Sequence, residues 1–383
     1  MRNRTKPYIP TVSPGLAVGL LLLVQGICPH AALAQTSSAR WTASNPPTSA
    51  LFQGVGVSLA GAEFGVEADG FSNLHPGRVG RDYVYPSAES VEGLAARGIR
   101  TFRLPIRWER LQPKLGKALD PQELKQLDQT LELIAKHQGK VIIDLHNYAR
   151  YAWATGSRVQ SLRIDQRWEG NRPVTSEDLA NFWQFLARRY RNHPGLLAYG
   201  IMNEPHDMDD SSWQRISQKV VDGIRTVDLE NWILVAGDEW SSAERFAEVN
   251  GDTAWIRDPA QRTAYEAHCY FDLDASGKYK FSYSYEQRLD PALKQRPANR
   301  IKPFADWCRK NQVVGFIGEF GVPNNDPRWN ALLEDFLHEL RHQNLASCYW
   351  AAGQWWGDYP LSVHPGAHPH DDPATLKTLI QFQ

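Results

Sequence analysis

Eight short apolar or β-branched runs, with helical stretches between them, constrain this chain more than any other feature of its sequence. The runs are Gly54 to Leu59, Ile99 to Leu104, Val141 to Leu145, Leu197 to Met202, Ile233 to Ala236, Thr263 to His268, Val313 to Gly318 and Ala346 to Trp350. Such alternation argues for βα units around a parallel sheet. Of the intervening stretches, Pro121 to His137 is the clearest: Leu124, Leu127, Leu131 and Ile134 recur at helical spacing. Asp120-Pro121 opens it as cap and first-turn residue. Strand then helix, eight times over, predicts an α/β chain folded as a (β/α)8 TIM barrel. A doubly wound sheet is the alternative, but no Gly-rich phosphate fingerprint follows the first run.

The barrel fits within one domain. No repeat of fixed period and no second block of different composition divides the 383 residues. At the N-terminus, Arg2, Arg4 and Lys6 precede an uncharged apolar run from Gly15 to Val24, and Ala32-Leu33-Ala34 has the small-x-small form of a signal peptidase site. Residues 1–34 therefore read as a cleaved signal peptide, 35–50 as a flexible lead-in rich in Ser, Thr, Ala and Pro, and 51–383 as the barrel. The apolar run is about half of the roughly 20 residues that cross a bilayer, so no stable membrane insertion is expected. The reading is a secreted or periplasmic protein, acting as a monomer. Lys plus Arg total 42 against 43 Asp plus Glu, which leaves no basic excess for a phosphate backbone, and nucleic acid is excluded as a partner. Cys269, Cys308 and Cys348 follow the leader; an oxidising compartment permits one disulfide among them, with three pairings left open.

Catalytic groups of such barrels sit where strands end. Here the ends are rich in polar groups: Arg103-Leu104-Pro105, Asp144-Leu145-His146-Asn147-Tyr148, Met202-Asn203-Glu204-Pro205-His206, His268-Cys269-Tyr270, Gly318-Glu319-Phe320-Gly321 and Tyr349-Trp350. Two carboxylates, Glu204 after the fourth run and Glu319 after the seventh, face each other across one mouth. Glycoside hydrolysis with retention needs such a pair about 5 to 5.5 Å apart. The plainer alternative pairs each Glu with an Arg that seals the barrel top. Asn203 can bond a sugar 2-hydroxyl, Arg103 and Tyr270 can lower the pKa of the nucleophile, Trp350 offers an apolar floor to a pyranose, and His146 and His268 add polar contacts.

The strings RTFRLPIRW, IIDLHNYARY, YGIMNEPHDM, EAHCYF, FIGEFG and YWAAGQWWGDY resemble glycoside hydrolase family 5, close to its bacterial and fungal endoglucanases, from about Gly54 to Tyr359. That resemblance implies Glu204 as acid/base and Glu319 as nucleophile. It places Arg103, His146, Asn203, His268, Tyr270 and Trp350 around them, and it implies a retaining endo-β-1,4-glucanase with no cofactor and no metal. The same machinery acting on β-mannan or on an acidic exopolysaccharide with a glucan backbone is the alternative; a carbohydrate-binding barrel without turnover is a further one.

Three segments bear on the substrate. Tyr148 to Arg172 is long and carries Arg150, Arg158, Arg163, Arg167 and Arg172 against Asp165 and Glu169. It reads as a solvated, salt-bridged loop, or as a surface on which Arg150, Arg158 and Arg163 hold acidic sugars. Trp153, Trp168, Trp240, Trp355 and Trp356 are candidates for sugar stacking or for packing, with Trp355 and Trp356 the best placed as substrate contacts. His364 to Asp372 holds three His and two Asp, but their spacing matches no compact metal motif.

Overall fold

The computed structural model describes residues 51–156, 158–167 and 174–383. The expected signal peptide and lead-in lie outside these residues, as do Trp168, Glu169 and Arg172. Ten strands occur among the described residues: β1 (Val55–Leu59), β2 (Thr101–Ile106), β3 (Lys140–Leu145), β4 (Arg150–Thr155), β5 (Arg158–Arg163), β6 (Leu196–Gly200), β7 (Trp232–Ala236), β8 (Thr263–His268), β9 (Val314–Glu319) and β10 (Ala346–Ala352). Eight close into a parallel barrel in the order β1-β10-β9-β8-β7-β6-β3-β2. Each matches one of the eight expected runs, and helices occupy the crossovers, so the chain is a (β/α)8 TIM barrel.

Two apolar layers hold the barrel. Inside it, Ile142, Ala198, Leu234, Ala264, Phe316 and Cys348 pack together beneath the mouth. Outside, helices bury one face each against the strands. In the helix Pro121–Lys136, Leu127, Leu131 and Ile134 are fully buried, and the Asp120 carboxylate accepts from the Gln122 and Glu123 amides. Trp183 and Trp213, on helices Ser176–Tyr190 and Trp213–Arg225, are also buried. Their indole N–H groups donate to the carbonyls of Ile201 (3.0 Å) and Ala236 (2.7 Å), at the mouth ends of β6 and β7. Cys269, Cys308 and Cys348 are free and buried, so the disulfide their number permitted is not formed among them. Burial pushes the Cys269 thiol up to about 12, as suits an apolar packing residue.

The arginine-rich segment departs from expectation. β4 and β5 form an antiparallel hairpin with Arg150 opposite Arg163 and Thr155 opposite Arg158, turning at Gly156, whose φ is 61°. Tyr151 and Leu162 pair across it and are both buried. A cross-strand apolar pair on one face is enough to set the register, even in a charged sequence.

Candidate active site

Side chains two apart on a strand share a face, and the mouth is built on that spacing. Asp144 and His146 leave the end of β3 together; Glu266 and His268 leave the end of β8 together. Between them, from β2, comes Arg103, with no solvent exposure. Its Nη1 donates to Glu319 Oε1 at 2.9 Å and its Nη2 to Asn203 Oδ1 at 2.6 Å. The same Nη2 lies 3.1 Å from Asp144 and 3.3 Å from Glu266. Burial opposes the guanidinium's charge, yet Asp144, Glu266 and Glu319 more than restore it. Their carboxylates need room, and Gly318 provides it, because a Cβ there would run into Glu266.

Arg103 also fixes the orientation of its neighbours. It can only donate, so Asn203 presents Oδ1 to it and turns its amide nitrogen to His146 Nε2, 3.3 Å away. Nε2 must then accept, which puts the imidazole proton on Nδ1, donating to Asp144 Oδ2 at 2.9 Å. Tyr148 donates to the same Nε2 at 3.1 Å. Burial, with Arg103 and Arg107 nearby, holds His146 well below its usual pKa and therefore neutral. Its ring stacks on Trp350, centroids 5.3 Å apart and planes 15° from parallel.

His268 has the opposite charge state. Burial disfavours its cation, but Glu319, Glu204 and Glu266 surround it and raise its pKa to about 10. Nδ1 lies 2.7 Å from Glu204 Oε1 and 3.7 Å from Glu319 Oε2, and Nε2 lies 3.3 Å from Glu266. Tyr270, kept neutral by burial and by Glu319, donates to Glu319 Oε2 at 2.9 Å. Arg103 lowers the Glu319 pKa, as expected, but does not decide its net direction. Burial outweighs His268 and Arg103, and the Glu319 pKa is raised. One carboxylate oxygen each from Glu204 and Glu319 lies with a His268 nitrogen inside a 4.8 Å cluster, the only grouping of three potential metal ligands among the described residues. A buried acid and a half-buried one flanking a fixed cation are equipped for proton transfer and nucleophilic attack at one point.

The remaining expected residues divide. Trp355 is exposed, whereas Trp356 is half-buried: it stacks on Tyr359 at 4.2 Å and meets Phe64 and Trp350 edge to face. Arg150 donates to the carbonyls of Tyr148 and His206, and Arg163 pairs with Asp209 and Asp210 at 2.6 and 3.0 Å. Both guanidiniums thus tie the hairpin to the loop after β6, while Arg158 is exposed. Asp372, in the histidine-rich run, is held by Arg97 at 2.6 and 2.7 Å. Sequence reasoning assigned no role to Asp144 or Glu266, although each stands two residues before a named histidine. It also missed the pairing of Trp240, 47% exposed, with His206 at 4.5 Å, which lies beyond the reach of local pattern. A cavity of about 700 Å3 runs from Glu204 and His268 to Trp240, Arg245 and Lys278.

A family model described as cellulase, glycosyl hydrolase family 5, matches residues 57–355. A probable endo-β-1,4-glucanase B of Aspergillus oryzae is 30% identical over 319 residues, covering 82% of this chain and 86% of that protein. Among solved structures, the endoglucanase Cel5A of Pseudomonas stutzeri in complex with cellobiose is 36% identical with a TM-score of 0.73, covering 86% of this chain and 92% of that one. An endo-β-1,4-glucanase of Xanthomonas axonopodis pv. citri is 31% identical with a TM-score of 0.72, covering 86% and 98%.

Proposed function

Since this chain belongs to the cellulase family, glycosyl hydrolase family 5, we propose that it is a retaining endo-β-1,4-glucanase with Glu319 as nucleophile and Glu204 as acid/base. The observation that carries this reading is that one oxygen of Glu204 lies within 4.8 Å of one oxygen of Glu319, in keeping with the roughly 5 to 5.5 Å of a retaining pair and short of the 6.5 to 9.5 Å of an inverting one. Glu319 attacks the anomeric carbon while Glu204 gives its proton to the leaving oxygen. A glycosyl ester forms on Glu319, and Glu204 then takes a proton from the water that hydrolyses it. In the first step negative charge passes from Glu319 to Glu204. The His268 cation, 2.7 Å from one and 3.7 Å from the other, stabilises the charge on either side. Asn203, oriented by Arg103, presents its amide to the 2-hydroxyl of the sugar over Trp350, and the leaving chain lies along the cavity toward Trp240.

A neutral β-1,4-glucan fits these surfaces better than an acidic polymer, because Arg150 and Arg163 are engaged within the protein and only Arg158 of the three is exposed. The test is product release from hydroxyethylcellulose, mixed-linkage glucan and mannan by the protein and by Glu319→Gln. Cleavage of the two glucans, lowered by at least about a thousandfold in the variant, is expected; activity surviving the substitution, or confined to mannan, contradicts the reading. We further infer export, from the basic, apolar and small-x-small order of residues 1–34, and a protein that acts as a monomer. Native mass spectrometry of the exported protein should give one chain starting at Gln35, and a retained leader or a dimer would contradict this.

A further inference from the structure

Five rings form a row along one wall of the mouth. Trp350 stacks on His146 at 5.3 Å, His146 meets Tyr148 edge to face at 5.3 Å, Tyr148 meets His206 edge to face at 6.0 Å, and His206 stacks on Trp240 at 4.5 Å. In the proposed function Trp350 lies under the sugar that is attacked, and Trp240 lies along the path of the leaving chain. Tyr148, third of the five, therefore stands beside the bond that breaks, although the mechanism above gives it no part. Of these rings only Tyr148 and Trp240 line the cavity of about 700 Å3 that Glu204 borders, so Tyr148 presents its free surface to the leaving side.

The backbone holds this ring in place against its own preference. Tyr148 and Ala149 both take left-handed φ, 54° and 58°, which side chains of this kind adopt only when their surroundings impose it. The amide of Tyr148 donates to the Asn203 carbonyl at 3.1 Å, and that of Ile164, just past β5, donates to the Ala149 carbonyl at 3.0 Å. Arg150 joins the carbonyls of Tyr148 and His206, at 2.7 and 2.9 Å. The hydroxyl, by contrast, is only partly engaged. Its partner, His146 Nε2, has one lone pair, and the Asn203 amide approaches that pair too, at 3.3 Å against 3.1 Å from Tyr148. One lone pair serves one donor fully. Asn203 is fixed by Arg103, whereas a phenol can turn its hydrogen about the C–O bond. Burial, with Glu204 and Glu319 close by, raises the Tyr148 pKa, so the hydroxyl keeps the proton it would donate.

We propose that Tyr148 binds the leaving sugar: its hydroxyl turns from His146 and donates to an oxygen of the glucose unit on the leaving side, while Asn203 keeps the Nε2 lone pair. The proposal rests on the endoglucanase reading, and one experiment separates the two. The protein and Tyr148→Phe, which keeps the ring and its edge contacts, are assayed for kcat/KM on cellohexaose and on dinitrophenyl β-cellobioside, whose leaving group is not a sugar. The unsubstituted protein should cleave both. The variant should lose about tenfold more on cellohexaose than on the aryl substrate, the size of one hydrogen bond. A structural role, or one exerted through His146 on the attacked sugar, would instead lower both alike. A loss no greater on cellohexaose than on the aryl substrate therefore overturns the leaving-sugar contact alone. Cellohexaose left intact by the unsubstituted protein overturns the endoglucanase reading and the contact with it.

Discussion

Glu204 has φ of 44°, in the left-handed region that a glutamate occupies only when its surroundings impose it. The Glu204 side chain is fixed in turn by the His268 cation, 2.7 Å away. Glu266 is the residue behind that cation. It touches neither of the two proposed catalytic carboxylates, yet it is fully buried against His268 Nε2 and Arg103, whose charges hold its own pKa down against the effect of burial. Replacing Glu266 by Gln removes one of three negative neighbours of His268, so the imidazolium should titrate at lower pH than in the parent protein. The sign for stability follows. His268 has a folded pKa of about 10, above its ordinary value near 6.5, so its contribution is complete below the ordinary value and is lost as pH rises through the folded one. In Glu266→Gln that loss should begin at lower pH. Side-chain 15N NMR of His268 across pH 6 to 11 reads this directly; an unchanged titration would assign Glu266 a merely space-filling place. Glu266→Asp should restore much of the parent titration.

At the scale of elements, the helices place the site as much as the strands do. The indole of Trp213 donates to Ala236 O, the last residue of β7 before the loop that carries Trp240, and Trp183 does the same for Ile201, three residues before Glu204. Trp213→Phe should leave the Ala236 carbonyl unpaired and cost about 1–3 kcal/mol in denaturant unfolding. Because the loss is at the barrel rim and not at the carboxylates, kcat on cellohexaose should change little. Unchanged stability would show that the bond carries no net weight. These bonds were not readable from the chain, since a tryptophan on an amphipathic helix looks the same whether or not its N–H has a partner. The eight strands, by contrast, were legible to within two or three residues, because fully buried strands need uninterrupted apolar runs. The β4–β5 hairpin was not, because its charged residues hide the alternation set by Tyr151 and Leu162.

On the scale of the whole molecule, closure of the barrel brings together six segments spread from Arg103 to Trp350. The polar residues that end strands could be read from the sequence, since such barrels act at one face. What could not be read was the balance of their charges. Burial raises the Glu319 pKa despite Arg103, and three carboxylates keep His268 charged while His146, across the mouth, is kept neutral. Such outcomes depend on depth and distance, which only the closed barrel sets. Beyond the mouth, a cavity continues from Glu204 and His268 past Trp240, along the path proposed for the leaving chain. The central claim, a nucleophile and an acid/base spaced for a glycosyl-enzyme, is tested most directly by the anomeric configuration of the first product. Proton NMR of cellohexaose hydrolysis, followed before mutarotation, should show the β-anomer formed first and the α-anomer appearing later. The α-anomer formed first would mean single displacement by water, and would contradict the assignment of Glu319 as the nucleophile.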